Sequence, residues 1–357
     1  MRYFDEQLVA NSRPHRQWWA EVGAQREAFH IHEVNLADLA SSTGLVTNAA
    51  AVLPRDAWLE MDTITRRVMR DDEGENFMRD LMALARPVHI GKIAFGYRVS
   101  SDAGTVRRTI SGQVPETVDK VTYDYRRAIV PIFNTGYGRS WREWNTLQSE
   151  NFDALADDQE AHVAAIRRNM ADYVLNGDTT IKFEGSVGYG IRNHPYAKSI
   201  NLGSAGGGFN IDLTSSSTTP DQLDAFFTNG IGGTVRANKL AGRKVNLYVS
   251  PEIMQNFSRS YSGSTGYKPG RIIDYLRTHP NIAKIEETSM LSGNAFFAFV
   301  PDATFIRPLV GMATNTTAAV RLNPVDDYSF LVMAALGIDI RADWNGASGV
   351  YYSVDVD

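Results

Sequence analysis

The feature that most constrains this chain is the stretch from Ser149 to Gly177, whose pattern predicts one long helix. Ser149 is placed to cap its start, Glu150 and Asp153 stand where a helix N-terminus favours negative charge, and Arg167 and Arg168 lie in its C-terminal half. Phe152, Leu155, Val163, Ile166, Met170, Tyr173 and Val174 recur at threes and fours, broken only near Gln159, and so form one apolar stripe. Asn176-Gly177 supplies a left-handed stop. At about 1.5 Å per residue the rod is roughly 40 Å long, and it is too polar to cross a membrane. A half-apolar rod of that length needs other elements laid along it.

Those elements are legible on both sides. Residues 1–55 carry Trp18-Trp19, His30-Ile-His32 and Ala49-Ala-Ala51 with no sustained helical period, and read as an extended arm. From Pro54 to Arg86 apolar residues sit at helical spacings, interrupted near Asp71-Asp72-Glu73-Gly74. Between Pro87 and Pro131 the period changes to two, with Tyr97-Arg-Val99, Val106 to Ile110 and Val121-Thr-Tyr-Asp-Tyr125 as strands and Ser101-Asp-Ala-Gly104 as a turn. Lys92, Arg98, Arg107, Arg108, Lys120, Arg126 and Arg127 leave little there for a core. The expectation is a long, polar, two-stranded excursion, and an isolated hairpin is marginal in water unless it lies on a partner.

After Gly177 the glycines of residues 178–220 and the run Ser215-Ser-Ser-Thr-Thr-Pro220 predict loops and a linker. From Thr219 to about Pro301 strands alternate with helices: helices at 221–229, from Pro251 and at 271–278, strands at 245–249, 282–285 and 296–300. The tail, 304–357, predicts strands at Phe305-Ile306, Ala319–Leu322, Phe330 onward, Ile338–Ile340 and Val350–Val354, with a turn at Asp343-Trp-Asn-Gly346.

With 357 residues, 43% hydrophobic and 22% charged, the chain can hold two compact domains. It has no cysteine, which excludes disulfides, a thiolate nucleophile and Cys-based metal sites, and fits a reducing place of synthesis. The N-terminal residues lack the apolar core of a signal peptide and no apolar run is of membrane length, so a protein of the cytosol, or of something assembled there, is expected. A formal charge of −5 argues against holding nucleic acid by neutralising phosphates, while leaving room for a shell that merely encloses it.

No catalytic constellation emerges. Gly206 and Gly208 are followed by Ile211 where a dinucleotide fingerprint needs a third glycine, no Gly-Lys-Ser/Thr occurs, and Gly263-Ser-Thr-Gly266 is in the wrong register for a nucleophile elbow. His30 and His32 would share a strand face but lack a third ligand, and His162 falls on the polar face of the long helix. Adjacent carboxylates at 157–158 and 286–287 point apart on regular elements. The arginine pairs at 66–67, 107–108, 126–127 and 167–168 each have acids nearby and predict salt bridges. No cofactor is expected.

The order of parts, together with the segment Val130-Pro-Ile-Phe-Asn-Thr-Gly-Tyr-Gly-Arg-Ser-Trp-Arg-Glu-Trp144 ahead of the helix, resembles the major capsid proteins of tailed bacteriophages, which share the Hong Kong 97-type fold with encapsulin-like shell proteins. The resemblance implies an α+β fold. Its parts would be an N-arm (1–55), a helical segment of the peripheral (P) domain (56–87), an E-loop hairpin (88–130), the P domain with its spine helix (131–199, spine 149–176), an axial (A) domain (200–304) and returning P-domain strands (305–357). It implies a non-enzymatic protein that assembles as pentamers and hexamers into an icosahedral shell around double-stranded DNA, in the host bacterial cytoplasm and then in the virion, with portal and scaffolding partners and in some relatives a decoration protein. Trp18, Trp19, Lys92, Arg98, Arg107, Arg108 and Lys120 are the candidate contacts between subunits. Some relatives weld subunits through a lysine–asparagine isopeptide bond beside a glutamate. Lys92 or Lys120 and Asn345 are present, but no glutamate follows Glu287, which gives welding little support. The absence of a long charged N-terminal helix implies a separate scaffold. An encapsulin-type nanocompartment is the alternative within the fold; outside it stand a soluble α/β enzyme with a glycine-rich loop and a phage tail or adhesin component.

Overall fold

The computed structural model describes residues 74–356 apart from 103, 105–107, 109, 111–119, 150–153, 241 and 264–265, together with residue 24. The arm, most of the expected helical segment and the strand expected at 106–110 lie outside the described residues.

Val245-Asn-Leu-Tyr-Val249 and Phe296-Phe-Ala-Phe299 are apolar at nearly every position, the pattern of strands covered on both faces. They form β8 (Val245–Val249) and β12 (Phe296–Phe299), each buried at every residue. With β7 (Lys198–Asn201), β11 (Ile282–Glu287) and β15 (Val350–Val354) they make a five-stranded mixed sheet in the order β11-β8-β12-β15-β7. Alternation then sorts the side chains: Leu247, Val249, Phe296, Ala298 and Tyr351 face one core, Tyr248, Phe297, Phe299 and Val350 the other.

The first core is closed by helices α4 (Pro220–Phe226), α5 (Gly232–Ala237), α6 (Pro251–Phe257) and α7 (Ile272–Arg277). Thr219 and Gln222 form a reciprocal capping box at the start of α4, and Ser250 caps α6 through the Ile253 amide. The expected stop at Asn229 does not occur. The chain passes through a wide π turn at Phe227–Ile231 into α5, with Gly230 lying under the Phe226 ring.

The second core lies between the opposite face of that sheet and a layer made of α1 (Glu75–Met82), α3 (Ala154–Asn176) and a four-stranded sheet. Its strands are β1 (Arg86–Pro87), β13 (Ile306–Ala318), β14 (Tyr328–Ile340) and β4 (Ile132–Arg139), in the order β1-β13-β14-β4. The segment 132–139 is the edge strand β4, paired with β14 from Ile132↔Ala335 to Arg139↔Tyr328.

Ser149 does not cap the long helix, because it is itself helical, the last described residue of α2 (Trp141–Ser149) before 150–153, which lie outside the described residues. Ser140-Trp-Arg-Glu143 starts α2, with Ser140 Oγ accepting from the Glu143 amide at 3.3 Å. The described length of α3 is 23 residues, roughly 34 Å. Its C-terminal stop is at the expected place: Gly177 has φ +68°, and a Cβ there would lie 2.3 Å from the Gly190 nitrogen. The last carbonyls of α3 accept from Ile191, Arg192 and the Asn193 side chain. The glycine-rich stretch after it is therefore ordered backbone packing, with β5 (Gly177–Phe183) and β6 (Ser186–Tyr189) paired as a hairpin. Likewise Gly203 sits where a Cβ would strike the Val356 carbonyl, and Gly208 where one would strike the Gly203 carbonyl, so these two glycines serve close backbone approach, while Gly206 and Gly207 adopt positive φ in open space.

One tail expectation is corrected. Residues 319–322 are not a strand; β13 runs up to Ala318 and 319–327 turn the chain into β14. The strand expected at Val350–Val354 is β15, which joins the five-stranded sheet between β12 and β7 with apolar cores on both faces.

Candidate assembly surfaces

The excursion is a hairpin of β2 (Ala94–Ser100) and β3 (Tyr123–Ile129), paired from Ala94↔Ile129 to Ser100↔Tyr123. Its inner face is not free of core, contrary to the expectation from its charges. Val99 and Ala128 are buried, and Phe95, Ala128 and Val130 pack with Leu309 and Ala335. The missed signal was the alternation Phe95, Tyr97, Val99 on one face of the strand.

Around this root the sequence supplies arginines that hold the hairpin by its aromatics. Phe95 lies between the guanidinium groups of Arg86 (4.8 Å) and Arg307 (5.1 Å), and Tyr97 beneath that of Arg341 (4.7 Å). Asp339, 1% exposed, accepts from Arg307 Nε at 3.1 Å and Arg341 Nε at 2.8 Å, tying both arginines to β14. Burial and the neighbouring charges of Arg341 and Arg86 lower the pKa of Arg307. Arg126 donates to the carbonyls of Ala342 (3.0 Å) and Asp343 (3.2 Å) and lies over the Tyr196 ring at 4.2 Å. Beside it, His194 is held neutral: burial and then the Arg126 charge push its pKa down to about 4. Arg127 reaches Glu184, at the turn of the β5–β6 hairpin, at 2.5 Å.

Beyond Arg127 the outer face is open. Tyr123 and Tyr125 are 54% and 72% exposed, and Arg98 lies over Tyr123 at 4.6 Å. Lys92, Arg98, Arg108 and Lys120 are all exposed on or beside this hairpin. Trp18, Trp19 and Arg107 lie outside the described residues. Arg307, Asp339 and Arg341 escaped the sequence reading, although a lone carboxylate inside Ile338-Asp-Ile340 is the mark of a buried ion pair.

At the far end of the four-stranded sheet, Tyr137 is stacked between His162 and Phe330, both at 5.2 Å, and His162 Nδ1 bonds Thr135 at 2.8 Å. Trp144 of α2 meets Tyr328 at 5.6 Å. Arg139 binds Asp158 of α3 through two nitrogens, at 2.6 and 3.0 Å, and Glu143 at 2.6 Å.

Little of this is arranged for chemistry. Among the described residues no three histidines or carboxylates are gathered as for a metal. Asp80 accepts from Tyr248 Oη at 2.5 Å and Lys284 Nζ at 2.7 Å; burial opposes its ionisation, but these donors outweigh it and lower its pKa, locking α1 to the sheet. A groove of about 630 Å³ between α1, α3 and β13 is lined by Met78, Met82, Met170 and Met312. Among the described residues no helix is long and apolar enough to cross a membrane.

This layout, a long helix under a sheet, a rooted hairpin and a second mixed sheet with its own helices, is that of tailed-phage capsid proteins. The capsid of Myoviridae phage XM1 superposes with a TM-score of 0.63 and 12% identity over 88% of this chain and 100% of that one. The capsid of the native GTA particle gives 0.57 and 13%, again over 88% and 100%. A chain of Microbacterium phage Oxtober96 gives 0.54 and 12%, over 84% and 96%. The fold is the expected α+β capsid-protein fold. The chain itself belongs to DUF6260, a family of unknown function whose sequence model matches residues 48–353. No curated protein matches it.

Proposed function

We propose that this chain is the major capsid protein of a tailed double-stranded DNA bacteriophage, a structural subunit that closes into an icosahedral head. The observation that carries the reading, beside the fold, is the hairpin. Its root is fixed by Asp339 and four arginines to its own subunit, while its outer face presents Tyr123 and Tyr125 to whatever lies alongside. Tyrosine and arginine on a rigid, half-bare ribbon are favoured at protein contacts.

In this reading residues 1–55 are an N-arm and 88–130 an E-loop that reach adjacent copies. The layer around α3 is the P domain, and the five-stranded sheet with its helices is the A domain, at the centre of pentamers and hexamers. Modest contacts suffice because closed symmetry repeats them. Portal and scaffolding proteins would set size and the packaging vertex, and the acidic chain would enclose DNA without gripping it. Welding through Lys92 or Lys120 is not part of the proposal.

The test is the particle. The purified full chain, expressed with its candidate scaffold where needed, is expected to sediment as closed shells visible by electron microscopy. Shells from infected cells should hold nuclease-protected DNA. A monomer under all assembly conditions refutes the reading, and small shells filled with an enzyme in place of DNA would move it to a nanocompartment.

A further inference from the structure

The hairpin root gathers more arginine than its carboxylate can match. Arg307 stands directly opposite Asp339 in the four-stranded sheet, with Arg341 two residues along β14 and Arg86 on the neighbouring β1. All three guanidinium groups lie against the rings of Phe95 and Tyr97 that the hairpin lays on this face. Asp339 accepts from Arg307 and Arg341 and so cancels one charge. Arg86 has its contact over Phe95 and no acid paired with it among the described residues. Arg126, the fourth arginine of the root, is matched separately by Asp124 at 3.5 Å. The cluster of Arg86, Arg307 and Arg341 on Asp339 therefore carries two positive charges in excess.

Elsewhere the chain pairs its arginines: Arg127 with Glu184, Arg139 with Asp158 and Glu143, Arg243 with Asp302. With 41 acidic residues to 36 basic ones it does not lack carboxylates to place. Surplus charge costs little on a solvated face, but Arg307 is 9% exposed, and like charges crowded on a buried guanidinium oppose folding. Burial and then the charges of Arg341 and Arg86 act on it together, which places Arg86 within electrostatic reach. One donor is also left over. Among the described residues Nη2 of Arg307 is buried without an acceptor, and Oδ1 of Asp339 without a donor. Were these two to close on each other, the excess of two charges would remain.

We infer that the hairpin root binds a small oxyanion, a phosphate or a carboxylate, on Arg86 and Arg307. A guanidinium fork donates two parallel N–H bonds to either group. Arg86, exposed, offers its fork at the surface, and Nη2 of Arg307 is the inner donor. Because Arg307 is so enclosed, what reaches it is a single small anion and not a protein face. The site belongs to the free subunit and does not rest on the shell reading.

The test is equilibrium dialysis of the purified full chain against labelled inorganic phosphate, in chloride buffer of constant ionic strength. One phosphate per chain is expected, with a Kd of about 1 mM or tighter. Arg86→Ala should weaken binding about tenfold or more, the loss of a charge-assisted fork. Arg142→Ala removes the same charge from an exposed position on α2 and should leave the Kd unchanged within about twofold. Arg86→Gln serves if Arg86→Ala does not fold by circular dichroism. Acetate added as competitor separates the two sources: displacement at like concentration assigns a carboxylate as well as a phosphate to the site, and resistance assigns phosphate alone. If neither anion binds saturably below about 10 mM, or if Arg142→Ala weakens binding as much as Arg86→Ala, the surplus charge is diffuse and the inference is wrong.

Discussion

The two large sheets of this molecule differ in how their strands meet water. In the five-stranded sheet β8 and β12 are buried throughout, with aromatic and aliphatic side chains sent alternately into two cores. In the four-stranded sheet β13 begins fully buried at Ile306–Leu309 and ends with alternating and then exposed residues at its far end. One sheet is sealed by its own chain; the other leaves the described subunit's cores along its length and carries charges, tyrosines and bare apolar groups outward. The difference separates residues that hold the subunit together from residues that, under the proposed function, are available to hold subunits to each other.

The strongest way to break that separation is at the sealed end. Phe297 is fully buried, stacked on Tyr248 at 5.1 Å and edge-on to Phe77 at 5.3 Å. Phe297→Ala is expected to cost about 3–5 kcal/mol in denaturant unfolding of the unassembled subunit. A loss below about 1 kcal/mol would mean that the second core is not the one drawn here.

Asp339 sits at the hinge between the two regimes. Replacing it by alanine leaves Arg307, itself 9% exposed, facing Arg341 without a counter-charge. A loss of about 3 kcal/mol is expected, with protease cleavage within 94–129 appearing before global unfolding. If the hairpin stays protected, its root is held by the apolar contacts of Phe95 and Ala128 and by Arg126, without need of the Asp339 pairs.

His194 gives the same region a pH signature. Above about pH 6.5 neither the folded nor the unfolded chain binds its proton and the contribution is fully present. Between 6.5 and about 4 only the unfolded chain binds it, so stability falls as pH falls; below about 4 both bind and the loss levels off. The full loss is about 3 kcal/mol. His194→Gln should remove this component, so the difference between the pH profiles of the two proteins, taken by urea unfolding, isolates it from the carboxylates. A flat difference from pH 7 to 4 would show that the imidazole is protonated as readily when folded.

What the sequence disclosed follows the same division. The sealed strands announced themselves because burial on both faces demands continuous apolar runs, as in Val245–Val249 and Phe296–Phe299. The caps at Thr219 and Ser250 and the stop at Gly177 are local chemistry and were equally plain. The hairpin root was not. Phe95 and Tyr97 are few among many charges, and it is long-range contacts with Arg307 and Arg341, more than 200 residues away, that turn those charges into packing. Ser149 misled because a serine before acidic residues marks a helix start wherever it falls, while the same signal at Ser140 and Glu143 lay earlier in the chain. Gly188, Gly190, Gly203 and Gly208 looked flexible because sequence cannot distinguish a glycine that frees the backbone, as Gly206 and Gly207 do, from one that lets two backbones touch.

The smallest expected effect lies where the exposed end of the second sheet is tied by charge. Arg139 closes β4 against α3 by its paired bonds to Asp158 and against α2 by Glu143, and the Asp158 carboxylate raises its pKa. Each of these side chains is a quarter or more exposed, so water screens the pairs. Arg139→Ala should therefore cost the free subunit only about 0.5–1 kcal/mol, and the difference from the parent should shrink at high salt. Arg139→Lys, which keeps the charge but loses the two-pronged geometry, should recover part of it. A loss approaching that of Phe297→Ala would mean that the outer end folds as tightly as the sealed sheet, and the distinction between holding together and reaching outward would no longer describe this subunit.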